Sequence, residues 1–241
     1  MSYGHDLADI HHRGFGEFAE SAAPGVLALL AKHGIRSGLV VEAGCGSGIL
    51  ARALIQAGFQ VAGYDASPSM IALARATAPE ARFEMATFDS MEIPSCAAIV
   101  AMGEVLNHGT SREMQAFLEK AAHALATGGV LLFDVAERDA DPPHEERRMG
   151  GEDWSVILIN DRDGHHLTRR VLTFRNVEGV IHRDEEVHSL QLFDRAEVLE
   201  PLRTLGFRVK VRRSYGTRRH PKGSTVYVAV RHRTGSGDPA E

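Results

Sequence analysis

The chain has 241 residues, 44% of them hydrophobic and 24% charged, which is typical of a globular protein whose core needs neither disulfides nor a structural metal. Its net charge of -5 disfavours nucleic acid as a partner, because proteins that bind phosphate backbones are usually positively charged. No apolar stretch approaches the roughly 20 residues that span a bilayer, the two cysteines form no ligand pair, and no signal peptide is evident, so we expect a cytoplasmic protein without a membrane partner.

Apolar residues between Phe15 and His33 recur at helical spacing, and Pro24 within this stretch predicts two short helices. We expect residues 1–34 to form an N-terminal helical arm. Helices then alternate with short apolar strands at Leu39–Val41, Phe59–Tyr64, Ala81–Thr87, Ala97–Met102 and Val130–Val135. Strands that are apolar on both faces predict a mostly parallel sheet with helices on both sides, here over residues 35–137.

The pattern changes after Ala136. Residues 138–151 are charged and contain prolines, which predicts a mobile loop. Three β-like segments joined by glycine-bearing turns follow, so residues 138–193 are predicted to form an antiparallel β insertion that serves as a lid or dimer surface. Asp194 is predicted to cap a last helix, and two strands complete the core over residues 194–230. We expect residues 231–241 to be a disordered tail.

A glycine-rich turn, Gly44-Cys45-Gly46-Ser47-Gly48, joins the first strand of the core to a helix. Such a turn brings backbone N–H groups and a helix N-terminus up to a ligand, and a β-carbon would block the close approach. Ile49 stands where a dinucleotide fingerprint has its third glycine, which disfavours a nicotinamide oxidoreductase, and the absence of Lys-Ser/Thr after the turn excludes a P-loop. Asp65 ends the next strand, where a carboxylate can accept hydrogen bonds from both ribose hydroxyls.

The segment Val41-Glu42-Ala43-Gly44-Cys45-Gly46-Ser47-Gly48 resembles motif I of class I methyltransferases, and Gly63-Tyr64-Asp65-Ala66-Ser67 resembles their second motif. The resemblance covers Leu39 to Val135. It implies a Rossmann-like seven-stranded sheet with a reversed final hairpin, and S-adenosylmethionine as the cofactor, with S-adenosylhomocysteine as the product and no metal. The cofactor pocket that it implies consists of Glu42, Gly44, Cys45, Gly46, Gly48, Asp65, Ala66, Met70, Thr87, Phe88 and Met102. More loosely, the arm and the inserted hairpins resemble the layout of sugar N-methyltransferases, in which such parts enclose small substrates.

Methyl transfer depends mainly on alignment of the nucleophile, which supplies on the order of 7–11 kcal/mol. A hydroxyl nucleophile also needs a general base, worth about 10²–10⁴-fold. Glu104 and His108 flank Asn107 just after the fourth strand, and we predict that all three contact the substrate, with His108 as the base. The alternative is a polar loop that only caps the next helix. His12 in the arm is the third catalytic candidate.

Three further residues are predicted to bind the substrate. His188 shares strand parity with Leu190 and Leu192, which directs it towards the core or the pocket, although a buried structural histidine is the alternative. Arg218 or Arg219, near Tyr215, is predicted to hold an acidic group of the substrate, against the alternative of a solvated basic strand edge. The charges of Arg169-Arg170 and Asp184-Glu185-Glu186 are explained by a sheet with one wet face.

Together these features predict an S-adenosylmethionine-dependent methyltransferase that acts on nitrogen or oxygen of a small molecule, with a homodimer as a further expectation. A non-catalytic adenosylmethionine-binding protein is the alternative, and a nicotinamide-dependent oxidoreductase is less favoured. No (N/D)-P-P-(Y/F) motif follows the fourth strand, which disfavours nucleic acid as the substrate. A protein substrate stays open.

Overall fold

The computed structural model describes residues 3–138, 143–216 and 223–232. The helices described are α1 (His5–Ile10), α2 (Gly16–Lys32), α3 (Ile49–Gln56), α4 (Pro68–Thr77), α5 (Ser111–Ala124) and α6 (Arg195–Thr204). The strands are β1 (Leu39–Ala43), β2 (Gln60–Asp65), β3 (Arg82–Met85), β4 (Cys96–Ala101), β5 (Leu125–Ala136), β6 (His144–Gly150), β7 (Trp154–Asp163), β8 (His166–Val177), β9 (Val180–Gln191), β10 (Phe207–Arg212) and β11 (Ser224–Arg231). A π-helical turn (His11–Phe15) joins α1 to α2, and a 3-10 turn (Val105–His108) follows β4. No helix in the described ranges is long and apolar enough to cross a membrane.

The central sheet has seven strands in the order β10-β11-β5-β4-β1-β2-β3. Strands β1 to β5 run parallel, whereas β11 pairs antiparallel with β5 and β10 pairs antiparallel with β11. One face is covered by α2, α3 and α4, and the other by α5 and α6. The predicted mostly parallel sheet with a reversed final hairpin is confirmed. Because β1 lies between β2 and β4, the strand order reverses at β1, and the crevice at the carboxyl ends of β1 and β4 is where such sheets bind ligands.

A second, antiparallel sheet of four strands, in the order β6-β7-β8-β9, is inserted between β5 and α6. One of its faces packs on α1, where Val156 and Val171 meet Leu7 and Ile10. Near the end of β5, Leu167 and Leu190 form a small apolar cluster with residues of β5 and of the segment that follows β9. The insertion and α1 thus stand together over the carboxyl edge of β5.

Pro24 lies inside the single helix α2, so the prediction of two short helices is wrong. An interior proline removes one backbone hydrogen bond and costs about 3 kcal/mol. The same helix buries Val26, Leu29 and Leu30 against the central sheet, and each such side chain contributes about 1.5–3 kcal/mol. Tertiary packing therefore outweighs the local effect of the proline.

The predicted loop over residues 138–151 is also corrected, because His144–Gly150 forms the edge strand β6. Its charges pair along the strand, Arg147 with Glu145 at 2.7 Å and Arg148 with Glu146 at 2.8 Å. Charged residues are common on edge strands, where they protect the open backbone, so their presence did not require a loop. At the other end of the chain Arg231, which was assigned to the tail, completes β11. Residues 139–142 and 233–241 lie outside the described part of the chain.

Candidate active site

The turn after β1 has a backbone that favours glycine at three positions, since Gly44, Gly46 and Gly48 have φ angles of 70°, 50° and 77°. A β-carbon on Gly48 would lie 2.9 Å from the Cα of Ala74, so this glycine allows the turn to pack on α4. A β-carbon on Gly46 would meet no atom within 4 Å. The turn is therefore packed on one side and open above Gly46, the arrangement of a cradle for a ligand.

Asp65, at the end of β2, closes one side of this cradle. Its Oδ2 accepts the N–H of Gly46 at 2.9 Å, and its Oδ1 accepts the N–H of Ser67 at 2.9 Å. Burial raises the pKa of the Asp65 carboxyl, while these backbone donors act in the opposite direction. Each carboxylate oxygen keeps acceptor capacity, so the group suits a ligand that presents two hydroxyls.

Glu42, near the end of β1, is a buried acid with one unpaired carboxylate oxygen among the described residues. It is 4% exposed, and its Oε2 has no hydrogen-bond partner among the described residues. Burial, assisted by the nearby charge of Asp65, raises the pKa of Glu42 to about 8. Because an unsatisfied buried polar atom costs about 1–3 kcal/mol, Glu42 indicates that a donor group of a ligand completes this site.

The other residues of the predicted cofactor pocket lie in different surroundings. Cys45 and Met70 are buried, at 5% and 2% exposure, and burial raises the pKa of the Cys45 thiol. Ala66 and Met102 are half-buried, and Thr87 is exposed. The ring of Phe88 packs edge-on against the ring of Phe117, with centroids 5.6 Å apart.

Two residues predicted to bind the substrate, Asn107 and Tyr215, are buried and hydrogen-bonded within the protein. Asn107 is 0% exposed; its side-chain amide donates to the carbonyls of Ala136 and Gln191 at 2.9 and 2.6 Å, and its Oδ1 accepts the N–H of Ala136 at 2.9 Å. Tyr215 is 2% exposed and its hydroxyl donates to Asp134 at 2.6 Å. The contacts of Asn107 fasten the turn after β4 to the ends of β5 and β9, and the contact of Tyr215 fastens the segment after β10 to β5.

Asp134 also shapes the turn that carries Glu104. Its carboxylate accepts the N–H groups of Gly103 and Glu104 at 2.9 and 2.8 Å, and Glu104 has a left-handed backbone with φ of 61°. The Glu104 carboxylate pairs with Arg169 of β8 at 3.3 Å. A side chain of the turn and a side chain of the insertion therefore meet directly.

His108 and His188, predicted from separate parts of the sequence, come together. Their rings lie 5.9 Å apart at 65°, and the ring of Tyr3 lies 5.1 Å from His188. Burial, followed by the charge of Arg169, lowers the pKa of His108 to about 4. His188 is 1% exposed and faces the same way as Leu190, as its strand parity predicts, and its Nε2 lies 2.8 Å from Glu186 Oε2.

The arm connects the cradle to this cluster. His12 Nδ1 lies 2.9 Å from the hydroxyl of Ser47 in the glycine turn. The ring of His11 lies 5.4 Å from that of Tyr3, and burial lowers the pKa of His11 to about 4. The carbonyl of Tyr3 accepts the hydroxyl of Ser67 at 2.8 Å.

Sequence reasoning missed Tyr3, Arg169 and Glu186 as members of this cluster. The wet-face interpretation of the insertion is wrong for two of them, because the side chains of Arg169 and Glu186 are only 24% and 15% exposed and face inward. The sequence did contain a signal for the inward orientation of Glu186. Glu186 precedes His188 by two residues, so the two side chains lie on the same face of the strand. No comparable signal marks Tyr3.

Within the described ranges, one group of residues has ligand atoms close enough together for a metal, namely His165, Asp194 and Glu197, within 4.8 Å. These side chains already have partners. Arg138 contacts His165 at 2.7 Å and Asp194 at 3.1 Å, and Glu197 accepts the N–H of Asp194 at 2.7 Å as the cap of α6. Asp194 and Glu197 thus form the capping box of α6, and His165 lies beside them. Arg218 and Arg219 lie outside the described residues.

Comparison with known proteins gives consistent results. A family described as "Methyltransferase domain" matches residues 40–129. A 2-heptyl-1-hydroxyquinolin-4(1H)-one methyltransferase of Mycobacteroides abscessus is 30% identical over 153 residues, which cover 57% of this chain and 67% of that protein. A dTDP-3-amino-3,6-dideoxy-alpha-D-glucopyranose N,N-dimethyltransferase of Streptomyces fradiae is 28% identical over 214 residues, which cover 85% of this chain and 84% of that protein.

A ubiquinone biosynthesis O-methyltransferase of Bradyrhizobium sp. (strain ORS 278) is 27% identical over 161 residues, or 61% of this chain, and the match spans 63% of that relative's length. Among solved structures, an S-adenosylmethionine-dependent methyltransferase of Clostridium acetobutylicum superposes with a TM-score of 0.82 at 12% identity, over 93% of this chain and 97% of that one. CalS10, an amino pentose methyltransferase of Micromonospora echinaspora solved with S-adenosylmethionine bound, superposes with a TM-score of 0.76 at 21% identity, over 96% and 99% of the two chains. At 12% and 21% identity, these superpositions show that the chain shares the fold of the two proteins.

Proposed function

Because the chain belongs to the class I S-adenosylmethionine-dependent methyltransferases, we propose that it transfers a methyl group from S-adenosylmethionine to a nitrogen or oxygen atom of a small molecule. The observation that carries the proposal is the open cradle above Gly46, bordered by Asp65 and by Glu42, whose Oε2 is unpaired among the described residues. When bound, S-adenosylmethionine supplies an electrophilic methyl group on a sulfonium sulfur. The residues present fit this cofactor in charge and in hydrogen-bonding capacity.

On the cofactor side, Asp65 would accept the ribose hydroxyls, and Glu42 would accept a donor from the amino-acid end. The glycine turn would contribute backbone N–H groups without blocking the approach. Phe88 and Met102 would supply apolar contacts to the adenine base of the cofactor. These assignments extend those made from the sequence, and they keep Cys45 and Met70 as supports beneath the cradle because both are buried.

On the substrate side, His108 and Glu104 stand at the carboxyl edge of β4, and His12 approaches from the arm. His108 is neutral near pH 7 because burial lowers its pKa to about 4, so it is suited to accept a hydrogen bond from the N–H or O–H of the substrate. The arm and the insertion close over this cluster, as the bond between the Gly4 N–H and Glu186 indicates. This enclosure favours a small molecule over a protein or a nucleic acid.

The remaining expectations also stay proposals. A net charge of -5 argues against nucleic acid as a partner, while the cytoplasmic location and the lack of a membrane or metal partner stay expectations from the sequence. A homodimer would be supported by the outer part of β9, where Val180 and Ile181 are 60% and 63% exposed. Light scattering during size-exclusion chromatography gives the oligomeric state directly.

Calorimetry with S-adenosylmethionine, S-adenosylhomocysteine and NADH tests the cofactor assignment. We expect micromolar binding of the first two to the wild type and a loss of at least tenfold in Asp65→Ala. Asp163→Ala, which removes an exposed carboxylate from the end of β7, is the matched control and should bind as the wild type does. Binding of NADH alone, or of none of the three ligands, would contradict the proposal. A screen of small amines, phenols and alcohols for release of S-adenosylhomocysteine then identifies the substrate.

A further inference from the structure

We propose that Glu186 and His188 form a proton-accepting pair for a substrate hydroxyl, which makes the reaction an O-methylation; this inference rests on the methyl transfer proposed above. The two residues alternate on β9 and both face inward. Neither belongs to the turn after β4 on which the predicted general base stands. The pair lies on the insertion, which thereby contributes to the chemistry as well as to the enclosure of the site.

The hydrogen bonds of the pair define which histidine nitrogen carries the proton. Glu186 Oε2 lies 2.8 Å from His188 Nε2, and Glu186 Oε1 accepts the N–H of Gly4 at 2.8 Å. An ionised carboxylate only accepts hydrogen bonds, so the proton of the neutral imidazole is held on Nε2. The lone pair is then on Nδ1, which is buried and has no hydrogen-bond partner among the described residues.

The unpartnered Nδ1 lies within a cluster that reaches the cofactor side. The ring of Tyr3 packs 5.1 Å from that of His188, and the Tyr3 carbonyl accepts the hydroxyl of Ser67. Ser67 in turn donates its N–H to Asp65. Tyr3 and Ser67 thus connect the pair to Asp65, the acid that borders the cradle.

Several ionisable side chains face the pair from every element that packs around it. These are Tyr3 and His11 from the arm, Glu104 and His108 from the turn after β4, and Arg169, which lies opposite His188 on β8. Arg169 and Glu104 are paired with each other at 3.3 Å, which offsets their charges.

His108 is less suited to take the proton. Its side chain makes no hydrogen bond within the described ranges, so nothing fixes its tautomer or stabilises its charged form. Burial, with the neighbouring charge of Arg169, lowers the pKa of His108 to about 4, and a weaker base is a poorer general base near pH 7. His188 has the carboxylate that His108 lacks. His108 is therefore assigned to position the hydroxyl by donating its ring N–H to the hydroxyl oxygen, which leaves the hydroxyl proton for His188.

The step conserves atoms and charge. A lone pair of the hydroxyl oxygen forms the bond to the methyl carbon, and the carbon–sulfur bond breaks with its electron pair remaining on sulfur. The hydroxyl proton moves to Nδ1 of His188, and the Glu186 carboxylate stabilises the imidazolium that results. The products are a methyl ether and the thioether S-adenosylhomocysteine, and His188 afterwards releases the proton to solvent. A neutral amine would need no such pair, because its own lone pair is available.

Nuclear magnetic resonance of protein labelled with ¹⁵N-histidine tests the tautomer without any substrate. Long-range ¹H–¹⁵N correlation spectra at pH 8 should show His188 protonated on Nε2, with the assignment taken from the loss of its signals in His188→Gln. Glu186→Gln should invert the tautomer, because the amide donates to Nε2 and leaves the proton on Nδ1. Glu185→Gln, which changes the adjacent exposed acid paired with Arg183, should leave the tautomer unchanged. Protonation of His188 on Nδ1 in the wild type would overturn the proposal.

Turnover of a hydroxyl substrate from the screen gives the second readout. Glu186→Gln and His188→Gln should each lower kcat by about 10²–10⁴-fold, while calorimetry shows unchanged binding of S-adenosylhomocysteine. Undiminished kcat in Glu186→Gln, or turnover of amines alone, would overturn the pair and leave the proposed function standing. Failure of the wild type to bind S-adenosylhomocysteine would instead overturn the proposed function itself.

Discussion

The two halves of the candidate site are built in different ways. Most of the cofactor half lies within residues 42–70 and consists largely of backbone, with glycines that keep space open and the Asp65 carboxylate that fixes the turn. The substrate half consists of side chains from the arm, from the turn after β4 and from the insertion, which meet only through tertiary packing. Changes to side chains of the insertion can therefore alter the substrate half while the cofactor half keeps its geometry. A β-carbon in the glycine turn should have the opposite effect.

The largest expected effect comes from the glycine turn. Gly48→Ala should lower the free energy of unfolding by roughly 2–5 kcal/mol, because it combines a left-handed backbone with a contact of 2.9 Å to the backbone of α4. Gly46→Ala has the same backbone strain but open space, so only about 1–2 kcal/mol should be lost. Urea denaturation measures both variants. Equal losses would show that the turn is not packed asymmetrically.

Substitution of Glu42 should change the stability of the protein and its affinity for the cofactor in opposite directions. The pKa of Glu42 is about 8 in the folded protein against 4.5 for an ordinary glutamate, so the folded state binds more protons between these values. The free energy of unfolding should therefore fall as the pH rises from 4.5 to 8, by up to roughly 5 kcal/mol from this group. Glu42→Gln should be more stable than the wild type at pH 8, yet bind S-adenosylhomocysteine more weakly. Higher stability together with unchanged binding would remove Glu42 from the cofactor site.

The buried histidines of the substrate half should make the stability of the protein rise with pH, the opposite of the effect of Glu42. His11 and His108 have pKa values of about 4 in the folded protein, against 6.5 for an ordinary histidine, so the unfolded chain binds more protons between these values. Stability from these groups is present above pH 6.5 and is lost as the pH falls towards 4, by up to about 3 kcal/mol for each residue. His11→Gln should reduce this loss when denaturation is compared at pH 7 and pH 4.5. If the free energy of unfolding of His11→Gln changed between pH 7 and pH 4.5 as much as that of the wild type, the side chain of His11 would be hydrated in the folded protein.

The smallest effect is expected where the arm meets the insertion. Arg175 pairs with Asp6 at 3.0 Å and with Asp9 at 3.5 Å, and all three side chains are partly exposed. Arg175→Gln should lower stability by only about 1 kcal/mol. It should raise KM for the substrate more than it weakens S-adenosylhomocysteine binding, because it loosens α1 over the substrate half. Hydrogen exchange in α1, compared with that of Arg183→Gln, shows whether the loosening is local.

The sequence predicted those parts in which neighbouring residues determine the structure. The glycine turn, Asp65 and the alternation of strands and helices are local signals, and the central sheet is confirmed. The parity of His188 gave its orientation but not its neighbours. The predictions of a helix break at Pro24 and of a loop at β6 were wrong, because tertiary packing and strand pairing outweighed the local preferences of these residues.

The surroundings of individual polar residues could not be predicted where a residue had two plausible partners. Asn107 follows a strand at the binding edge, as a substrate-binding residue would, yet its amide is occupied by three backbone hydrogen bonds. Glu186 lies in an acidic run typical of a solvated face, yet it binds Gly4, which is 182 residues away. Contacts of that sequence separation leave no trace in a single sequence.

That separation also has a consequence for biosynthesis. Ribosomes add about 5–20 residues per second, so the arm exists for roughly 10–40 s before Glu186 is made. During this interval Leu7 and Ile10 lack Val156 and Val171, the apolar partners that bury them in the finished protein. The nascent arm is therefore a short apolar segment open to chaperones, and the substrate half of the site is assembled last.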